Sequence, residues 1–219
     1  MTLDQLKAKF TGLMNRRDLT ANTALVSDFI DQALMRVQRE LRVPALEKSA
    51  LVTIDSTYAT NGGLLIPNDL LELIQIIPIE SLRSILPCSI TKAMRLALYI
   101  DCPENFCRQG VVWVLGPMPA IGDEIRIDYY AQATPLVNGS DTNTLSTIAW
   151  DLIVYAALTS AAEWFTDKRV TTFEGRYQQI LSDIQMLADE GELDTAVMQP
   201  CLLFPDEDGY GDYREWECY

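Results

Sequence analysis

Apolar residues at helical spacing open the chain. Leu3, Leu6, Phe10 and Leu13 recur every three or four positions up to the polar break Asn15-Arg16-Arg17-Asp18. A second stripe runs through Leu25, Phe29, Ala33, Val37 and Leu41, with Val26, Ile30 and Leu34 beside it. Pro44 ends it, because the residue before a proline is pushed out of the helical region. From Leu51 the period shortens: Leu51-Val-Thr-Ile-Asp55 alternates, Asn61-Gly62-Gly63 reads as a turn, and Leu73 to Ile79, which follows Pro67 and contains Pro78, is rich in β-branched residues. Met94 to Ile100, Val111 to Leu115 and Glu124 to Tyr130 read as further strands. The last two are joined by the proline- and glycine-bearing loop Gly116 to Asp123.

Helical spacing returns at Asn143, a candidate N-cap. Leu145, Ile148, Ala149, Leu152, Tyr155, Ala156 and Ala162 form one face up to Trp164. After Thr166-Asp167, Phe173, Tyr177, Ile180, Leu181, Ile184, Leu187 and Ala188 form another, with Gly191 as the expected C-cap. The pattern predicts an α+β protein. An antiparallel helical bundle is built from N-terminal helices (1–50) and C-terminal helices (141–190), a small antiparallel β unit is inserted over 51–140, and an extended tail covers 191–219. The helices at 143–165 and 169–190 carry apolar surface at several angles, including Trp150, Tyr155, Trp164 and Phe165, which predicts burial between subunits.

Charge refines this picture at the tail. The 219 residues carry a net charge of −14, and residues 191–219 hold one basic and eight acidic side chains, or half of that total. A chain this acidic repels nucleic acid and anionic lipid. Within the tail, Phe204, Tyr210, Tyr213, Trp216 and Tyr219 stand among acids with only Arg214 as counter-charge. That mixture is too polar to fold alone but supplies large anchors for another surface, so these five are the candidate partner-binding residues.

Composition removes most catalytic chemistry. The chain has no histidine, which excludes imidazole-activated nucleophiles and His-containing zinc sites. Cys102 and Cys107 are spaced to share an ion, but a zinc site needs four ligands and the other cysteines are distant in sequence. Asp206, Asp208, Gly211 and Glu217 match calcium-loop spacing, yet Tyr210 takes a ligand position and only two residues follow Glu217. The adjacent Asp123 and Glu124 point to opposite faces at a strand entrance and suit a solvated turn better than an acid–base pair. The expectation is a protein with no catalytic residues, no metal and no cofactor. Five cysteines without repeated spacing suit a reducing compartment. The N-terminus carries Asp4, Lys7 and Lys9 with no apolar core of a signal peptide, so neither secretion nor membrane insertion is expected.

Several segments together resemble the head-to-tail adaptor (connector) proteins of short-tailed bacteriophages. They are Phe29-Ile-Asp-Gln-Ala33 with Arg39-Glu-Leu-Arg-Val-Pro44, and Leu65-Ile-Pro-Asn-Asp-Leu-Leu-Glu72. Further along come Trp113-Val-Leu-Gly-Pro-Met-Pro with Gly122-Asp-Glu-Ile-Arg-Ile-Asp-Tyr-Tyr130, and Thr142-Asn-Thr-Leu145 leading into Leu152-Ile-Val-Tyr-Ala-Ala-Leu158. The resemblance spans residues 25 to about 185 and implies a virion protein assembled in the host cytoplasm and placed at the head–tail junction. It implies a dodecameric ring beneath the portal, joined to tail nozzle or tail fibre proteins, with DNA passing only as transient cargo. In such adaptors helices build the ring wall, a β-rich part faces the tail, and a C-terminal arm can reach the portal. A second reading of the composition is a cytosolic binding or scaffold protein whose acidic tail mimics nucleic acid to occupy a basic partner.

Overall fold

A computed structural model of the chain describes residues 1–195, apart from the side chains of residues 17, 20 and 191–195. The N-terminal third is helical: α1 (Leu3–Met14), the short α2 (Arg17–Ala21) and α3 (Thr23–Glu40). Each long helix has a sequence-encoded start. The Thr2 side chain accepts from the Gln5 N–H in a capping box, and the Asn22 side chain accepts from the Leu25 N–H. A single 3₁₀ turn at Pro44–Leu46 leads into the β region.

That region is two sheets rather than the one antiparallel unit expected. The first has the order β1-β7-β3, from β1 (Glu47–Thr53), β3 (Leu70–Pro78) and β7 (Glu124–Ala131), all antiparallel. The second has the order β2-β6-β5-β4, from β2 (Leu64–Leu65), β4 (Leu86–Pro87), β5 (Asn105–Gln109) and β6 (Val112–Gly116), and its β4–β5 pair is parallel. Gly110, at φ +64, makes the tight turn from β5 into β6. Between β1 and β2 lies α4 (Ser56–Asn61), so the Asn61-Gly62-Gly63 turn is the end of a short helix.

Met94 to Ile100, read above as a strand, is instead the end of α5 (Ile90–Leu96) followed by a turn. The Ser89 side chain caps that helix at the Lys92 N–H, and Ala93 is its buried contact. At Gly116 an added Cβ would lie 2.8 Å from the Leu96 Cβ, so α5 packs directly on the β6 backbone.

The C-terminal helix is divided near its start. α6 (Thr144–Ile148) stops at Ala149, whose φ −133 and ψ 41 are not helical, and α7 (Trp150–Trp164) follows. Asn143 caps α6 as expected. After a turn, α8 runs from Val170 to Thr195, so its backbone passes through Gly191 instead of ending there. One glycine costs a helix about 1 kcal/mol, and good helix formers on either side outweigh it. No helix among the described residues is long and apolar enough to cross a membrane.

The apolar side chains form two cores. Leu6, Phe10, Ile30, Val37, Leu152 and Leu158 belong to the helical one, which joins α1, α3, α7 and α8. Ile76, Trp113, Leu115, Ile125, Ile127 and Tyr129 belong to the sheet one. Much of the apolar surface on α7 is absorbed inside the chain: Tyr155 and Phe165 pack on the helical core, while Trp164 remains 70% exposed.

Candidate functional site

The five residues expected to bind a partner, Phe204, Tyr210, Tyr213, Trp216 and Tyr219, lie outside the described residues, as does the calcium-like run Asp206 to Glu217. Cys102 precedes β5 and Cys107 lies within it; both are half-buried free thiols, as is Cys88. Among the described residues no group of three or more His, Cys, Asp or Glu could hold a metal ion. Asp123 closes the loop before β7, accepting from the Ala120 N–H at 2.8 Å, while Glu124 opens the strand in solvent.

What the structure presents instead is a set of surfaces held by polar clamps. Between α3 and α8, Arg36 donates to both Glu174 carboxylate oxygens, at 2.9 and 2.7 Å, and also to Glu40 at 3.2 Å. Its guanidinium lies 4.0 Å from the Tyr177 ring centroid, and the Tyr177 hydroxyl donates to Glu40 at 2.6 Å. Glu174 is held below the ordinary carboxylate range by the Arg36 hydrogen bonds, against the opposing effect of its partial burial. Burial pushes the Tyr177 hydroxyl upward, and its bond to Glu40 adds to that. Arg36 and Glu40 meet Glu174 and Tyr177 in the same order, so α3 and α8 run in parallel.

A carboxylate with a lowered folded-state value stabilises the fold above its ordinary titration range and loses that contribution as pH falls through the folded value. Glu174→Gln is therefore expected to cost about 1 kcal/mol or less at neutral pH, since this pair is partly solvent-screened. It should also flatten the loss of stability below about pH 4.5. Urea denaturation of both proteins between pH 3 and 7 checks this; parallel pH profiles would show that the clamp contributes nothing.

The clamp chain continues into the sheets. The Arg42 N–H donates to the Gln185 side chain of α8 at 3.3 Å, and the Arg42 guanidinium donates to Glu72 on β3 at 2.7 Å. Lys48 on β1 donates to Asp69 at 2.5 Å, and Asp69 also accepts from the Tyr129 hydroxyl at 2.9 Å. Asp69 is lowered first by the Lys48 hydrogen bond. On the outer face of the first sheet, Asp128 accepts from Ser49, from Gln75 at 2.8 Å and from Arg126 at 3.2 Å. Partial burial raises the Asp128 carboxyl, but these donors outweigh it and hold the group low. These carboxylates are held by fixed donors, an arrangement that braces elements against each other.

Several large apolar side chains are left in water, three groups of them close together or beside a groove. Leu98, Tyr99 and Ile100 project from the turn after α5, and hydrogen bonds between Tyr99, Asp101 and Met118 hold that turn. Met186 and Leu187 stand on the distal half of α8. Leu65 and Val111 flank a groove of about 550 Å³ between β1 and β2. None of these was read as exposed from the sequence, because an exposed leucine and a core leucine look alike until packing separates them.

A search of the curated proteins finds no match to the chain. The family model for the SU10 adaptor protein matches residues 1–199, which takes in both cores and all sixteen helices and strands described above. A match over nine-tenths of the sequence, on a fold built of braced surfaces, places the chain in the SU10 adaptor protein family of phage head-to-tail adaptors, structural components of the virion that meet other head and tail proteins.

Proposed function

We propose that this adaptor assembles as a closed ring, dodecameric as its resemblance implies, docks beneath the portal and hands the DNA channel on to the tail nozzle or tail fibre proteins. The observation that carries the reading is the family match over residues 1–199. The helical layer would form the ring wall and the β region would face the tail. Residues 191–219 would serve as an arm whose Phe204, Tyr210, Tyr213, Trp216 and Tyr219 anchor on the portal or on an adjacent subunit.

Charge supports the conduit. The chain carries −14 overall, half of it in residues 191–219, so an assembled ring is acidic and repels the DNA backbone, whereas a basic ring would hold it through counterion release. Low affinity for its cargo is the useful property of a channel. The exposed apolar residues Trp164, at the last position of α7, and Leu98–Ile100, after α5, stand on separate elements and suit a part with more than one partner.

The test is to mix the purified adaptor with portal protein and follow assembly by native mass measurement and electron microscopy. The expected result is a symmetric ring of adaptor copies on the portal. A chain that stays monomeric and never joins the portal would overturn the reading. Binding that collapses with modest salt would favour the nucleic-acid-mimic alternative, because anchoring through aromatic residues is less sensitive to ionic strength.

A further inference from the structure

β1 is an edge strand with its free side intact. Among the described residues it pairs only with β7, and the register fixes which backbone groups face outward. Ile54 donates its N–H to the Asp123 carbonyl at 2.8 Å, and Ile79 donates to the Glu124 carbonyl on the opposite side of β7 at 2.9 Å. By alternation, Val52, Ala50 and Lys48 turn their N–H and C=O groups toward β7, while Ser49, Leu51 and Thr53 turn theirs away from it. Among the described residues no strand meets those outward groups.

Edge strands are ordinarily protected by charge, proline or a covering element. Here Lys48 is tied to Asp69, and Leu51 is 58% exposed at the middle of the edge. The groove of about 550 Å³ opens directly beside this edge, lined by Val52, Ile54, Tyr58, Leu64, Leu65 and Val111. An incoming strand would lie about 4.8 Å from β1. Alternate side chains would enter the groove, and the others would cover Leu51. This is the arrangement of β-strand addition, in which main-chain bonds give affinity and pockets for every second side chain give specificity.

The chain carries a segment suited to that slot. α8 runs parallel to α3, passes Arg42 at Gln185 and continues to Thr195, so it advances about 15 Å further on the side where Arg42 bridges to β3. The β3 residue reached by Arg42 is Glu72, which shares a row of the sheet with Tyr130 and Glu47, the first residue of β1. Six more residues reach Cys201, up to about 20 Å when extended. Cys201-Leu-Leu-Phe204 follows, an uncharged apolar run between Pro200 and Pro205 that is set apart from the acids on either side. Its length and bounding prolines match one short added strand.

We infer that residues 201–204 of one copy add as a strand to the free edge of β1 in a neighbouring copy, with alternate side chains filling the groove beside Leu65 and Val111. The inference rests on the ring reading and assigns Phe204 to subunit–subunit contact, leaving the aromatic residues from Tyr210 onward for the portal.

The experiment uses the full chain with portal protein. Cysteine is placed in turn at Ser49, Leu51 and Thr53, and oxidation is followed by denaturing electrophoresis, with Cys201→Ser as the control. The expected result is a ladder of adaptor multimers that needs Cys201. Two further variants act on opposite sides of the contact. Leu51→Pro removes an outward N–H and no bond to β7, so melting should move by only a few degrees. Leu202→Asp with Phe204→Asp leaves residues 1–195 untouched. Each should lower ring formation at least tenfold. A cross-link found only within single copies would overturn the placement in a neighbour. Rings that form normally in both variants, with no cross-link at any position, would overturn strand addition and leave the adaptor ring standing. A wild-type chain that never assembles would overturn both.

Discussion

Phe10→Ala is expected to lower stability by about 3–5 kcal/mol, a large share of the roughly 5–15 kcal/mol that holds a domain of ordinary size together. Phe10 on α1 is wholly buried, and its ring lies 6.0 Å from that of Phe29 on α3. Phe29 in turn lies 6.4 Å from Phe165 at the end of α7, where the Arg16 guanidinium stands 3.8 Å over the ring. Truncating the first member of this series removes most of a side chain from a packed interior and leaves a cavity its neighbours cannot close, because they are fixed by their own helices. Two controls separate cavity from bulk hydrophobicity. Phe10→Leu keeps much of the volume and should cost well under half as much. Leu98→Ala, at a site 79% exposed, should cost almost nothing. Urea denaturation with an unchanged slope is the measurement, and the Tm should fall on the order of 10 °C. A loss near 1 kcal/mol would mean that the helical core is loosely packed around α1.

The mixed α+β class and the order of the long elements were legible because amphipathic helices advertise their period. Leu3 to Met14 and Leu25 to Val37 need no partner to be recognised. Where local and tertiary signals diverge, the sequence misleads. Met94 to Ile100 has the apolar content of a strand, but Ser89 caps a helix and Ala93 fits against the β6 backbone, so packing settles the matter. β5 (Asn105–Gln109) carries polar residues and owes its existence to two neighbouring strands, one of them the parallel β4 brought from a distance. The wide apolar surface of the C-terminal helices pointed to subunit contact, yet much of α7 is consumed by α1, α3 and α8 of the same chain. The free edge of β1 left no trace in the sequence, since edge and centre differ only in what lies alongside. The tail was conspicuous for the opposite reason: its acids and aromatics have no shared period, so composition alone set it apart.

Deleting residues 201–219 is expected to leave the fold intact and to weaken attachment to the portal by at least about 30-fold. The two halves of this expectation have separate grounds. Among the described residues every apolar residue of both cores lies at or before position 188, and the deletion begins six residues beyond Thr195. The melting temperature should therefore stay within a few degrees. For attachment, buried aromatic anchors contribute about 2 kcal/mol or more each, so losing even one of Tyr213, Trp216 and Tyr219 from a desolvated contact corresponds to roughly 30-fold in Kd. The surrounding acids would set orientation and disfavour wrong partners, and they should act more on the rate of association than on its strength. Replacing Tyr213, Trp216 and Tyr219 together by alanine in the full chain separates this role from strand addition by residues 201–204. Portal attachment should fall while adaptor copies still cross-link to one another through Cys201. Melting and portal binding measured on the same preparations decide the matter: lost folding would make the tail part of the core, and unchanged binding with intact folding would show that the arm lies elsewhere.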